Sequence, residues 1–235
     1  MTIPFHTLNP TLTQPEADAL LEKYGARYIP AGSVTEHVSG PEETYHYSAY
    51  SGNSAVEVEY GDSAWFLTFN AEDQRMVAHS MAGPGPVRFN GMCVVVRGYK
   101  AERRTVEIGK KTCLPYVNGC STRELIAAPR VGDPTLQFLT IPAYSKEQAH
   151  HIHSTVRVVY VLKGRGVSVV GMEGGSVSTE LLPGMVCILD PMSPHHFETP
   201  QGENLHVIPF HVYSSGPGEN NHPMFRGTFL TNQGE

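Results

Sequence analysis

The spacing of hydrophobic and polar residues along the chain changes after Gly25. Residues Thr13 to Glu16 have the form of a helix N-terminus, in which a capping threonine is followed three residues later by a glutamate. Apolar residues then recur at helical spacing, at positions 17, 20, 21 and 24. This pattern predicts one short N-terminal helix that packs against the protein or against a second copy of it.

Short apolar runs separated by turn residues fill the rest of the chain. Gly, Pro, Asn and Asp cluster between the runs, as in GPGP at 83–86 and GMEGG at 171–175. The runs predict strands at 55–60, 64–69, 92–96, 105–108, 136–141, 157–162, 167–170, 185–189 and 205–213. Many short strands with little helix between them favour an all-β antiparallel sandwich or barrel.

A weak internal repeat relates the two halves of the chain. FLTF, MCVVVRG and a segment ending in a cysteine follow one another between residues 66 and 120. FLTI, VVYVLKG and a segment ending in HH follow in the same order between residues 138 and 196. The match indicates a duplication, with chance similarity among strands as the alternative. We therefore predict a helical segment at 1–34, a first β half at 35–133 and a second at 134–235.

Composition narrows the class of protein. The 235 residues include 17 basic and 23 acidic ones, a formal net charge of −6, and no Lys/Arg tract, so nucleic acid is not the expected partner. No apolar run reaches the length of about 18 residues that a membrane helix needs, and the first ten residues lack a signal-peptide pattern. The four cysteines form no CxxC pair. We expect a cytoplasmic globular protein with reduced thiols and no membrane partner.

Most of the twelve histidines lie in the second half of the chain. His151 and His153 are two residues apart, so on a strand their side chains would point to the same face. Two imidazoles on one face suit a first-row metal ion. Arg157 would share that face, and His195 follows a buried strand and a proline-rich turn. The sequence therefore predicts a metal site in the second half.

These segments resemble the two motifs of the cupin superfamily. The first motif reads HxH, three or four residues, a glutamate, six residues and a glycine, and here it runs from His151 and His153 through Arg157 to Gly164. The second is a glycine, a short apolar strand, a proline-rich turn and a histidine, as in residues 184–195. The resemblance implies a cupin-type antiparallel β-barrel (a jelly roll). With the repeat, two barrels in tandem are expected.

The resemblance also implies a ligand role for His151, His153 and His195. The expected cofactor is one divalent transition metal per chain, with Fe(II) favoured and Mn, Ni, Zn, Cu or Co as alternatives, since all accept imidazole. Histidines that simply pack inside a barrel are the competing interpretation. The first half is expected to hold no metal. At the positions that correspond to the three motif histidines it has Gly85, Val87 and Cys120.

Arg157 stands where the family usually places a glutamate ligand. A guanidinium is always protonated and cannot bind a cation. A fixed positive charge beside a metal with open positions suits a carboxylate or an enolate, held by the metal and Arg157 together. We therefore predict that Arg157 is a catalytic-site residue. The alternative is a structural ion pair, for example with Glu147 or Glu198.

The remaining histidines near the motifs are less specific. His206 and His211 lie on the last predicted strand, where one of them could face the barrel interior as a general acid or base, and we predict this role for His211. Packing is the alternative for both. His150 and His196 neighbour the predicted ligands and are expected at the surface or as partners that orient a ligand imidazole.

Together these features predict a mononuclear metal-dependent enzyme that acts on a small organic acid. An Fe(II)-dependent dioxygenase is favoured, because three histidine ligands leave positions for substrate and O₂, and thiol and diketone-cleaving dioxygenases of the superfamily have a similar ligand set. A lyase, isomerase or hydrolase that uses the metal as a Lewis acid is the alternative enzyme. A ligand-binding cupin without catalysis is the alternative from another class. The expected assembly is a homodimer.

Overall fold

The computed structural model describes residues 12–33, 35–38, 46–70, 75–109, 113–129, 132–172, 175–200 and 202–212. The strands in this part of the chain are β1 (Ala26–Ile29), β2 (Thr35–Val38), β3 (Tyr47–Val58), β4 (Ser63–Asn70), β5 (Arg75–Ala82), β6 (Gly85–Val96), β7 (Arg104–Glu107), β8 (Leu114–Pro115), β9 (Ser121–Ile126), β10 (Thr135–Ile141), β11 (Val156–Lys163), β12 (Gly166–Met172), β13 (Gly175–Leu181), β14 (Val186–Leu189), β15 (His195–Glu198) and β16 (Leu205–Val212). Each of the predicted runs overlaps one of these strands. A short 3₁₀ helix at Val117–Gly119 separates β8 from β9.

The predicted N-terminal helix is confirmed as α1 (Gln14–Lys23). The backbone N–H and the hydroxyl of Thr13 both donate to Glu16 Oε2, at 2.8 and 2.7 Å. Its apolar side packs on the protein through Ala17 and Leu21, which are buried. No helix in the described ranges is both long enough and apolar enough to cross a membrane.

The strands form three antiparallel sheets. One has seven strands in the order β1-β14-β11-β16-β10-β9-β8, and the second has three in the order β13-β12-β15. The third has six strands in the order β2-β3-β6-β4-β5-β7. All the strand pairs in them are antiparallel. The predicted all-β antiparallel class is confirmed.

Strand β11 of the seven-stranded sheet is buried on both faces. On β11, Val159 and Val161 pack with Val170 of the three-stranded sheet and form the interior of the second-half barrel. Val158 points to the other face and joins a cluster that includes Trp65 of the six-stranded sheet. Because side chains alternate along a strand, β11 serves two cores at once. The odd-numbered positions of β11 therefore face the barrel.

Hydrogen bonds cross both of the predicted domain boundaries. β1 lies in the predicted helical segment and pairs with β14, with Tyr28 opposite Cys187. β9 lies in the predicted first half and pairs with β10, with Arg123 opposite Phe138. The division at residues 34 and 133 stays a prediction, and the sheets themselves do not divide there.

The glycine that ends the first motif tests this packing. An alanine Cβ at Gly164 would lie 1.8 Å from the backbone oxygen of Asn204, which cannot move aside as a side chain can. Gly61 has a similar φ, 92° against 82°, but open space around it. Both alanine variants carry the strain of a positive φ, about 1–2 kcal/mol. Gly164→Ala should lower the free energy of unfolding by at least about 2 kcal/mol more than Gly61→Ala in urea denaturation. Equal losses would contradict this packing.

Candidate metal centre

The three predicted ligands converge at one end of the barrel. His151 and His153 precede β11 and lie outside the regular strands. The segment that contains them is held instead by an isolated antiparallel bridge to β15, in which the backbone N–H groups of His151 and His195 each donate to the other residue's oxygen, at 3.1 and 2.9 Å. One ligand-type nitrogen of each of the three histidines lies within 4.8 Å of the others.

Backbone carbonyls fix the orientation of two of the rings. His151 Nδ1 lies 2.9 Å from the oxygen of Ala149, and His195 Nδ1 lies 2.7 Å from the oxygen of Ser193. A carbonyl only accepts, so each Nδ1 carries the hydrogen and donates it. The lone pair of each ring is therefore on Nε2, which faces the other histidines. Carbonyl partners of this kind orient histidines that bind metals.

The spacing of two of the donor atoms suits a divalent transition metal. His153 Nε2 accepts a hydrogen bond from Arg157 Nη1 at 3.2 Å, so its lone pair is also on Nε2. It lies 2.9 Å from His151 Nε2, and two lone pairs at this distance repel unless a cation lies between them. With metal–nitrogen bonds of about 2.1 Å, a 2.9 Å spacing corresponds to two ligands at roughly a right angle.

All three imidazoles are in the neutral form that a metal requires. Burial and the adjacent Arg157 guanidinium lower the pKa of His153 to about 3 and that of His195 to about 2. Burial also lowers the pKa of His151. Near pH 7 the cluster therefore offers three lone pairs and no positive charge of its own.

Arg157 lies inside the barrel beside this cluster and is only 3% exposed. Its Nη2 donates to Glu147 Oε1 at 3.1 Å, and Glu147 is 4% exposed. Its Nη1 donates to His195 Nε2 at 2.9 Å as well as to His153. Of the two ion-pair partners that the sequence suggested, the structure pairs Arg157 with Glu147, whereas Glu198 lies 3.4 Å from His196.

The position of Arg157 has a direct consequence for metal binding. Its Nη1 donates into the lone pairs of two candidate ligands, and a metal would use those same lone pairs. Both cannot do so at once, so the guanidinium must turn away from the histidines when a metal binds. Its Nε is buried without a hydrogen-bond partner among the described residues, as is Glu147 Oε2, and these atoms leave the pair further hydrogen-bonding capacity.

His211, and not His206, lies beside the cluster. On β16 it faces the barrel interior, where its ring centroid is 5.5 Å from that of His153 and its Nδ1 is 3.1 Å from Thr155 Oγ1. Burial, together with Arg157 and His153, lowers the pKa of His211 to about 2. His206 instead stacks on Phe138, with centroids 5.9 Å apart. The structure thus places one neutral imidazole next to the three candidate ligands.

Cys120 lies in the second-half barrel rather than in a first-half site. It belongs to the same apolar cluster as Val159, and its thiol approaches the backbone oxygens of Lys146 and Glu147 at 3.6 and 3.7 Å. Burial and the Glu147 charge raise its pKa to about 11, so the thiolate is scarce at neutral pH. The internal repeat could not predict this location, because it only aligned Cys120 by spacing with the last histidine of the second half.

Sequence reasoning missed the residues that orient the site. Thr155 supports His211, and the carbonyls of Ala149 and Ser193 support two candidate ligands. Backbone acceptors carry no sequence signal. The sequence pattern places Thr155 on the same strand face as Arg157, but it does not indicate a contact with His211.

No protein-family model and no curated protein matches this chain. Solved structures match it by shape. A mutant of oxalate decarboxylase OxdC from Bacillus subtilis is 8% identical over 80% of this chain and 77% of that one, with a TM-score of 0.50. A cupin 2 conserved barrel domain protein from Leptotrichia buccalis is 12% identical over 79% of this chain and 96% of that one, with a TM-score of 0.45.

A third structure matches a shorter stretch. The polyketide cyclase RemF from Streptomyces resistomycificus is 23% identical over 40% of this chain, with a TM-score of 0.35. The match spans 64% of that cyclase. At these identities the likeness concerns the fold, and it agrees with the antiparallel sheets described above. In its fold, the chain is similar to this oxalate decarboxylase.

Proposed function

We propose that this protein is a mononuclear metal-dependent enzyme that acts on a small organic acid, as an Fe(II)-dependent dioxygenase. The observation that carries the proposal is the set of three neutral imidazoles with one ligand-type nitrogen each within 4.8 Å of the others, which supports His151, His153 and His195 as metal ligands. Three protein ligands leave further positions on the metal. Bound Fe(II) would supply Lewis acidity toward the substrate and electrons for the reduction of O₂.

The charges around the site favour an anionic substrate. Three neutral imidazoles bring no negative charge to a divalent cation. Arg157 adds one positive charge, which Glu147 balances at 3.1 Å. Two positive charges therefore remain inside a barrel whose walls are apolar, and a carboxylate or enolate is the chemistry that balances them.

Arg157 is suited to hold such a substrate. Its Nη2 is fixed on Glu147, and its Nη1 reaches the histidine nitrogens at 2.9 and 3.2 Å. Once those lone pairs are taken, Nη1 and Nε are donors in the place where a substrate carboxylate would lie. Glu147 keeps the guanidinium from leaving the barrel.

His211 is placed to exchange a proton with a substrate, once a bound anion offsets the burial and the Arg157 charge that lower its pKa to about 2. It is neutral at physiological pH, its ring lies 5.5 Å from that of His153, and its Nδ1 contacts the hydroxyl of Thr155. A neutral imidazole accepts a proton from a substrate when the resulting charge is balanced nearby. The same feature also favours the second candidate, a lyase, isomerase or hydrolase that uses the metal without redox change.

An oxygen electrode tests the proposal. Protein reconstituted with Fe(II) should bind one iron per chain and consume O₂ with at least one member of a panel of small organic acids. His195→Ala should remove most of the iron and the O₂ consumption together, while His206→Gln should change neither. Substrate loss without O₂ uptake would establish the non-redox candidate instead. Full iron content in His195→Ala would show that the ligand assignment is wrong.

The Arg157–Glu147 pair gives a second prediction. Arg157→Ala leaves a buried carboxylate unpaired and should lower the free energy of unfolding by about 3–5 kcal/mol. Arg157→Met with Glu147→Gln removes both charges, so it should keep the fold and lose turnover. Without the competing donor, it should bind metal at least about tenfold more tightly in calorimetry.

A surface arginine provides the control for the loss of one positive charge in the Arg157 variants. Arg165→Met breaks an exposed contact to Glu180 at 3.6 Å and should alter neither stability nor metal affinity. If the double variant binds metal no more tightly, the guanidinium does not compete for the histidines. Full turnover in it would mean that Arg157 does not hold the substrate.

His211 predicts a pH dependence of stability. Its pKa is about 2 in the folded protein and about 6.5 when unfolded, so below about pH 6.5 only the unfolded chain gains the proton. Stability is therefore lost on acidification, by about 2 kcal/mol between pH 7 and pH 5 for this group. In metal-stripped protein, His211→Gln should reduce the measured loss by that amount. His206→Gln should reduce it less, and an unchanged loss in His211→Gln would contradict the burial effect.

A further inference from the structure

Two histidines outside the centre face each other on the outer side of the barrel. On β15, His196 alternates with the inward-facing His195 and Phe197, so its side chain points outward. His150 is exposed and lies against it, with ring centroids 5.1 Å apart and planes at 82°. Their Nδ1 atoms are 2.8 Å apart. Neither ring was assigned a metal by the sequence analysis.

Both rings have their hydrogen on the other nitrogen. His150 Nε2 donates to the backbone oxygen of Gly171, and His196 Nε2 donates to Glu198 Oε2 at 3.4 Å. A carbonyl and a carboxylate offer only lone pairs, so in the neutral rings each Nε2 carries the hydrogen. The two Nδ1 lone pairs are therefore opposed at 2.8 Å. This contact is repulsive unless a cation relieves it.

We propose that His150 and His196 form a second metal site, which binds a divalent ion of the Cu²⁺ or Ni²⁺ type through the two Nδ1 atoms. With metal–nitrogen bonds of about 2.0–2.1 Å, nitrogens 2.8 Å apart lie at roughly a right angle. Cu²⁺ and Ni²⁺ prefer this tetragonal arrangement, whereas tetrahedral Zn²⁺ would need the nitrogens about 3.3 Å apart. Water would complete the coordination, since His150 is open to solvent.

The partners of the two rings support a metal site. Glu198, His196 and the metal would form the carboxylate–histidine–metal arrangement that orients and strengthens histidine ligands. Gly171 plays the same part for His150 through its carbonyl. The simplest competing explanation is a proton shared between the two Nδ1 atoms, which would also relieve the repulsion.

The site would join the segments that carry the inner ligands. His150 and His196 are the chain neighbours of His151 and His195, which are bridged through their backbones. A metal outside would tie the same two segments together a second time. We call the His150–His196 site the outer site. Because it requires no catalysis, its test does not depend on the proposed function.

Copper titration in a background without the inner site tests the proposal. His153→Ala should still bind one Cu²⁺ per chain, with nitrogen ligation in its electron paramagnetic resonance spectrum. Adding His150→Gln or His196→Gln should remove this binding, and adding Glu198→Gln should weaken it about tenfold. His206→Gln is the matched control and should leave it intact. Copper should raise the melting temperature only where both His150 and His196 are present.

The outcomes separate a metal from a shared proton. If His153→Ala binds no Cu²⁺, or if its copper persists after His150→Gln, the outer site does not exist. His150 is exposed, so its substitution should not disturb folding, and this single variant is sufficient to decide. Failure of iron binding or of O₂ uptake would overturn the proposed function and leave the copper result unchanged.

Discussion

The backbone bridge between His151 and His195 is the contact on which the whole site depends. It joins a segment without regular strand structure to β15, and each side contributes one histidine inward and its neighbour outward. Side chains alternate along extended backbone, so a single pair of hydrogen bonds sets four imidazoles at once. His153, two residues after His151, and Arg157 on β11 complete the inner arrangement.

The buried guanidinium and a metal ion are alternatives for the same lone pairs. Arg157 Nη1 lies within hydrogen-bond distance of two candidate ligands, while its Nη2 is fixed on Glu147. Either the Arg157 guanidinium or a metal ion would therefore interact with the lone pairs of His153 and His195. The cost of burying Arg157 is offset by Glu147, so the pair can tolerate a guanidinium that changes its partner on the histidine side.

Local patterns in the sequence were enough for the helix and for the strands with a clear apolar run. The capping residues of α1 and the valine-rich β11 are examples. The sequence did not predict β5, β13 or β15, because they are short or rich in small and polar residues, as in GSVSTEL. Their pairing is set by neighbouring strands. The motif was enough to pick out the three candidate ligand histidines, which the structure brings together. Their bridge and the Glu147 pairing did not follow from it, because both depend on contacts between distant loops.

The replacement of glutamate by arginine at position 157 changes the charge of the centre in a way that Glu147 only partly offsets. In the usual cupin pattern a carboxylate ligand reduces the charge of a divalent metal to one. Here a bound divalent metal would keep both charges, since Glu147 balances Arg157 at 3.1 Å. The barrel wall offers Val159, Val161 and Phe197, which are apolar. Under the proposed function, the missing negative charge would come from outside the chain, as a substrate anion that enters the barrel.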